Sequence, residues 1–149
     1  MLLRAQGITK RYGRSTVLED ADFTVQEGEV LGLIGPNGAG KTTLFECLAG
    51  LLPTDDGRVE FGGRPLPAGH RKQALFYLPD GIRPWGDQPV HWVLAFFEAL
   101  YGRKRGEGAA LASDLKLEHL LKSRIGSLSK GEAKRVLLAL GLLDRKSVV

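Results

Sequence analysis

"GPNGAGKTT", Gly35 to Thr43, sets three glycines, a proline and an asparagine directly ahead of a lysine and two threonines. The apolar run "VLGLI" (Val30 to Ile34) precedes it, and the helix-like "LFECLAGLL" (Leu44 to Leu52) follows. A glycine-rich bend between a strand-like and a helix-like segment is poor material for a core. It suits a place where backbone must come close to something charged. Gly35, Gly40, Lys41 and Thr42 fit the pattern of glycine, four residues, glycine, lysine, then serine or threonine. That spacing lets backbone N–H groups turn inward around a polyphosphate, at the positive end of the helix that starts near Lys41. The Lys41 ammonium is then expected to reach the β- and γ-phosphates, and the Thr42 hydroxyl to ligate Mg²⁺. The stretch predicts a nucleoside-triphosphate site.

Composition sets the frame around that loop. A chain of 149 residues, 43% hydrophobic and 26% charged, suits one ordinary globular domain or one with a small inserted subdomain. No apolar run approaches the roughly 20 residues that span a bilayer. The start, "MLLRAQGITKRYG", lacks the layout of a signal peptide, so a membrane role is expected to need a partner chain. The single cysteine, Cys47, fits a reducing compartment and, in an apolar helix, reads as an inert buried thiol. The net charge of +4 is modest, and "GRKRG" (Gly102 to Gly106) reads as a solvated loop rather than a nucleic-acid patch. His70, His91 and His119 stand in no ligand or triad spacing.

The order of elements is consistent with an α/β nucleotide-binding core. "LLRAQGITKRYG" and "TVLEDADFTV" alternate at period two and predict antiparallel strands, and "VLGLI" predicts a parallel strand buried on both faces. "RVEFGGRPL" reads as strand and turn, and "ALFYLP" (Ala74 to Pro79) as a second buried strand. "DQPVHWVLAFFEALYG" then changes character, with Pro89 at a helix start, and "GAALASDLKLEHLLKS" continues in helical periods. Near the end, Ser129 and Glu132 form a capping box opening the helix "AKRVLLALGLL", with Val136, Leu137, Leu140 and Leu143 as its apolar stripe. Capping explains both polar residues without any function.

The longer string "GLIGPNGAGKTTL", followed by "LAGLLPTDDGRVEFGG", resembles the ATP-binding domain of ATP-binding-cassette (ABC) transporters. "KRYG" places Tyr12 where that family stacks an aromatic on adenine. "YLPD", ending at Asp80, stands at the family's glutamine loop, and "LSKGE" (Leu128 to Glu132) at its signature motif, usually LSGGQ. The likeness runs from about Ile8 to about Leu142 and departs at Asp80, Lys130 and Glu132, while Gly131 is retained.

This resemblance implies a P-loop NTPase core with N-terminal antiparallel strands and an inserted helical subdomain, truncated. Residues 1–80 are expected to form the strands and nucleotide-binding core, 81–130 the helical subdomain with the signature, and 131–143 the start of a return to the core. It implies ATP and Mg²⁺ held by Tyr12, Gly35, Pro36, Asn37, Gly38, Ala39, Gly40, Lys41, Thr42 and Thr43. A second subunit's nucleotide would face Ser129, Gly131 and Glu132, and the metal would meet Thr42 and Asp80. A carboxylate at Asp80 in place of glutamine adds negative charge near the phosphates, so stronger Mg²⁺ dependence is expected. The implied function is the ATPase subunit of a transporter, peripheral on the cytoplasmic membrane face. Its implied partners are a second ATPase subunit and a transmembrane permease near Trp85 and Trp92, with no nucleic acid. A ribosome- or DNA-directed ABC ATPase and a non-hydrolysing regulatory domain are the alternatives. In the family, the aspartate and glutamate that serve Mg²⁺ and the attacking water follow the signature helix, so the chain to Val149 is expected to be incomplete and inactive alone. "DRKSVV" (Asp144 to Val149) can also be encoded by the start of a common short-read sequencing adapter, so native sequence is expected to end near Leu143.

Overall fold

The structure is a computed structural model that describes residues 2–79, 81–82, 85–144 and 147–148. The chain divides into two compact units, one running through Leu75 and one covering Phe76–Val148. The division falls slightly before the boundary at residue 80 read from the sequence.

The first unit is built on a four-stranded sheet in the order β2-β1-β3-β4, all antiparallel. Strand β1 (Leu3–Tyr12) pairs with β2 (Ser15–Val25) through a tight hairpin, Leu3 opposite Val25 and Tyr12 opposite Ser15. On its other side β1 pairs with β3 (Asp56–Phe61), which turns into the short β4 (Arg64–Pro65). Alternation buries Leu3 and Ala5, then slips at Gly7, where β1 bulges, so that Ile8, Thr9 and Lys10 are all buried. The sheet closes tightly there. A Cβ on Gly57 (φ 92°) would lie 2.5 Å from the Gly7 carbonyl oxygen, so only glycine fits.

Helix α1 (Lys41–Leu48) adds Leu44, Cys47 and Leu48 to a core with Leu3, Ile8, Leu18 and Val59. Cys47 is fully buried and burial pushes its thiol pKa up, so it stays protonated and unreactive, as the sequence suggested. Its carbonyl accepts from the buried guanidinium of Arg71, which also donates to Leu66 O. Arg71 opens the short helix α2 (Arg71–Ala74), and it thereby ties the end of α1 to the segment after β4.

Two sequence expectations are corrected. Val30 to Ile34 is not a buried parallel strand: no ladder forms there, and Val30 and Ile34 are 95% and 97% exposed. A parallel strand exists only by pairing. Among the described residues the sheet of this unit is wholly antiparallel and offers that run no neighbour. "ALFYLP" likewise contributes only the two-residue β5 (Leu75–Phe76), in a sheet with β6 (Ser147–Val148).

The second unit is helical. Helices α3 (Val90–Leu100), α4 (Glu107–Asp114) and α5 (Lys130–Asp144) share one core with Leu117, Leu120, Ile125 and Leu128 from the connecting turns. Helix α5 packs on α3 and α4 along Ala133, Val136, Leu137 and Leu140. Residues 131–143, read from the sequence as a return to the core, therefore lie within this helical packing. At its far end Leu143 O accepts from Arg103 Nε at 2.7 Å, which anchors one arginine of the basic loop.

The sequence did not disclose Glu98. It lies on the buried face of α3, and its carboxylate accepts from Gly106 N at 3.0 Å and Gly108 N at 2.8 Å. Those donors open α4, whose N-terminus has no cap from its own side chains. Glu98 is thus a cap supplied by a neighbouring helix, charge-assisted and aligned with the α4 dipole. Glu98→Ala would leave these donors short of an acceptor and is expected to destabilise this unit by about 2 kcal/mol. Urea unfolding of the wild-type and variant proteins measures it, with Glu98→Gln falling between them.

Candidate nucleotide-binding site

The loop ahead of α1 has the local geometry its composition demands. Gly38 and Gly40 both stand at φ 84°, a conformation that favours glycine. At Gly40 a Cβ would meet Leu18 Cδ2 and Val17 O, each at 2.9 Å, so the loop can close onto β2 only without a side chain there. Ala39 N donates to Pro36 O at 3.3 Å, which turns the chain, and Leu44 N to Gly40 O at 2.8 Å begins the helix. The Lys41 ammonium donates to the carbonyls of Gly35 and Pro36, both at 2.6 Å. It therefore sits over the mouth of the loop rather than reaching away from it.

The loop is open to solvent from Gly35 to Ala39, and Thr42 is exposed on the first turn of α1. Gly40, at the N-terminus of α1, supplies no side-chain cap. The first N–H groups of a helix have no partner within it, so this end carries unsatisfied donors and partial positive charge. With an ammonium beside it, the loop can do one thing well: hold an anion with several oxygens. The residues fit a triphosphate. Thr42 supplies a hydroxyl suited to a hard cation such as Mg²⁺. Asp80 lies outside the described residues.

Tyr12 belongs to the same unit. It ends β1 and is 50% exposed, and its hairpin partner β2 carries the Val17 and Leu18 against which Gly40 rests. The hairpin and the phosphate loop are therefore structurally joined.

The second unit carries the "LSKGE" stretch. Ser129 N donates to Glu132 Oε2 at 2.8 Å and Glu132 N to Ser129 Oγ at 3.3 Å, so the capping box forms reciprocally. Hydrogen bonding to Ser129 holds the Glu132 carboxyl below its ordinary pKa. Gly131 faces open space, with nothing within 4 Å of an added Cβ. Lys130, Gly131 and Lys134 line a shallow cavity with Pro79, Gly81 and Ile82. The N-terminus of α5 is thus self-capped where that of α1 is not. Elsewhere on this unit Trp92 stacks on Phe96 at 5.4 Å, and Trp85 lies 6.1 Å from Phe96, all three more than 40% exposed.

An uncapped helix N-terminus behind a glycine loop with an inward lysine defines a P-loop nucleotide-binding protein. The chain belongs to the ABC transporter family, whose family model matches residues 18–149. It is 37% identical over 151 residues to a probable ABC transporter ATP-binding protein of Azorhizobium caulinodans, covering 96% of this chain and 54% of that protein. It is 30% identical over 155 residues to the linearmycin resistance ATP-binding protein LnrL of Bacillus subtilis, covering 99% and 50%. It is 36% identical over 152 residues to the Nod factor export ATP-binding protein I of Burkholderia lata, covering 97% and 49%. A solved ATP-binding cassette of an ABC transporter superposes with a TM-score of 0.81 at 26% identity, covering 97% of this chain and 66% of that one. A putative ABC transporter ATP-binding protein from Pyrococcus furiosus gives 0.78 at 31%, covering 96% and 70%. The chain spans about half the length of these curated relatives. Among the described residues no helix is long and apolar enough to cross a membrane.

Proposed function

We propose that this chain is the nucleotide-binding part of an ABC transporter ATPase subunit, coupling ATP binding and hydrolysis to passage of a substrate through a separate permease. The observation that carries the proposal is the Gly35–Thr43 loop, with Lys41 turned onto its carbonyls at 2.6 Å and the α1 N-terminus uncapped. Lys41 and the loop N–H groups hold the triphosphate, and Thr42, with Asp80, holds Mg²⁺. Bound there, Mg²⁺ would neutralise phosphate charge. Ser129, Gly131 and Glu132, at the start of α5, face the nucleotide of a second ATPase subunit, so that closing the pair couples to the permease. The exposed aromatic surface of Trp85, Trp92 and Phe96 supports a permease contact on α3. The relative named for Nod factor export supports outward transport. The subunit then works on the cytoplasmic face of the membrane, without nucleic acid.

Binding of Mg·ATP by the intact protein, followed by calorimetry, tests the proposal, and ATP-dependent efflux in vesicles that carry its permease partner tests the coupling. Tyr12→Ala is expected to weaken ATP binding by roughly 1–3 kcal/mol, the range for an aromatic side chain stacked on a base. An unchanged affinity would return Tyr12 to an ordinary hairpin residue.

A further inference from the structure

Lys10 is an odd residue to bury on a strand, yet it is only 7% exposed. A buried ammonium gives up hydration, and its long stem gives up rotamer freedom, so specific contacts must hold it. Lys10 Nζ stands 3.6 Å from Asp55 Oδ2. That carboxylate is itself fixed, because Arg11 N donates to Oδ2 at 2.5 Å and Asp55 N donates to Thr9 O at 2.9 Å. Both main-chain contacts come from the residues flanking Lys10. The same ammonium lies over the Tyr12 ring, 5.5 Å from its centroid, which is inside cation–π range. Tyr12 remains 50% exposed, so a cation backs the ring while much of it stays open. Lys10 also stands opposite Leu18 in the hairpin, and Leu18 is the residue on which Gly40 closes. The chain of contacts runs from Asp55 through Lys10 to Tyr12, on the strand pair that supports the phosphate loop.

We propose that Lys10, clamped by Asp55, is a positioning residue that fixes the Tyr12 ring as a ready-made platform for the purine base. The proposal rests on the reading of Tyr12 as the adenine-stacking residue. A free tyrosine at a hairpin end loses rotamer freedom when a base settles on it, and a ring already held by a cation does not incur that cost again. The cation also draws electron density through the ring, which favours stacking of an electron-rich purine on the open face.

The test compares two probes, Mg·ATP and inorganic tripolyphosphate, on the intact protein. Tripolyphosphate reports the phosphate loop without the base. Lys10→Met keeps the apolar stem and removes the charge. It is expected to lower Mg·ATP affinity about two- to fivefold and to leave tripolyphosphate affinity unchanged. Lys10→Arg, which keeps a cation over the ring, is expected to restore ATP affinity. In a Tyr12→Ala background Lys10→Met should cost nothing further, because the two act through one ring. Asp55→Asn keeps an acceptor for Arg11 N and is expected to weaken ATP in the same direction. If Lys10→Met lowers both probes equally, Lys10 merely supports the loop and the positioning role fails. If Tyr12→Ala weakens ATP while neither Lys10→Met nor Asp55→Asn does, positioning fails and stacking stands. If Tyr12→Ala has no effect, the stacking reading falls and takes this proposal with it.

Discussion

In the Lys41→Ala protein, Mg·ATP affinity is expected to drop by about 3 kcal/mol or more, over a hundredfold, which at working concentrations amounts to loss of binding. Lys41 now donates to Gly35 O and Pro36 O at 2.6 Å, so its charge is already poised at the loop mouth. Exchanging two neutral carbonyl acceptors for anionic phosphate oxygens adds ion-pair attraction to each contact of the already charged donor. Alanine removes the charge and also frees the two carbonyls that shape the loop. The fold should survive, because Lys41 is only half-buried and takes no part in the core around Leu44, Cys47 and Leu48. Isothermal titration with Mg·ATP, alongside thermal melts of both proteins, separates the two effects. Equal affinity in wild type and Lys41→Ala would refute the site.

Residues 1–149 expressed alone are expected to aggregate. Val30 and Ile34 are 95% and 97% exposed, and Leu31 and Leu33 are 48% and 43% exposed between them. Burying Val30 and Ile34 alone is worth about 3–6 kcal/mol, a large share of the 5–15 kcal/mol that holds a typical domain together. An unpaired apolar run of this kind also offers free backbone N–H and C=O groups for pairing with another copy. Light scattering of the purified chain checks the point. A purified 149-residue chain that stays monomeric would overturn this expectation.

Much of the site was legible because it is local. Gly35 to Thr43 needs only its own backbone angles and the start of α1 to form, so its spacing reported the geometry before any fold was known. The capping box of Ser129 and Glu132 is equally local, its partners being three residues apart. Strands β1 and β2 also showed in their alternation, since one hairpin turn sets their pairing.

What the sequence could not determine depends on partners far along the chain. Val30 to Ile34 has the composition of a buried strand, but a strand is a relation between segments, and no described segment pairs with it. Nothing local in "KRYG" tells of the burial of Lys10, and only the bulge at Gly7 and the approach of Asp55 turn it inward beneath Tyr12. Glu98 carries no local signal, and only the packing of α4 against α3 brings the Gly106 and Gly108 donors to its carboxylate. Sequence alone determined the conformation of the glycine loop at Gly35 to Thr43, because backbone conformation there follows from the residues themselves. Tertiary structure decided which charges are buried and what they hold, because burial and pairing are set by chain segments that meet only when folded.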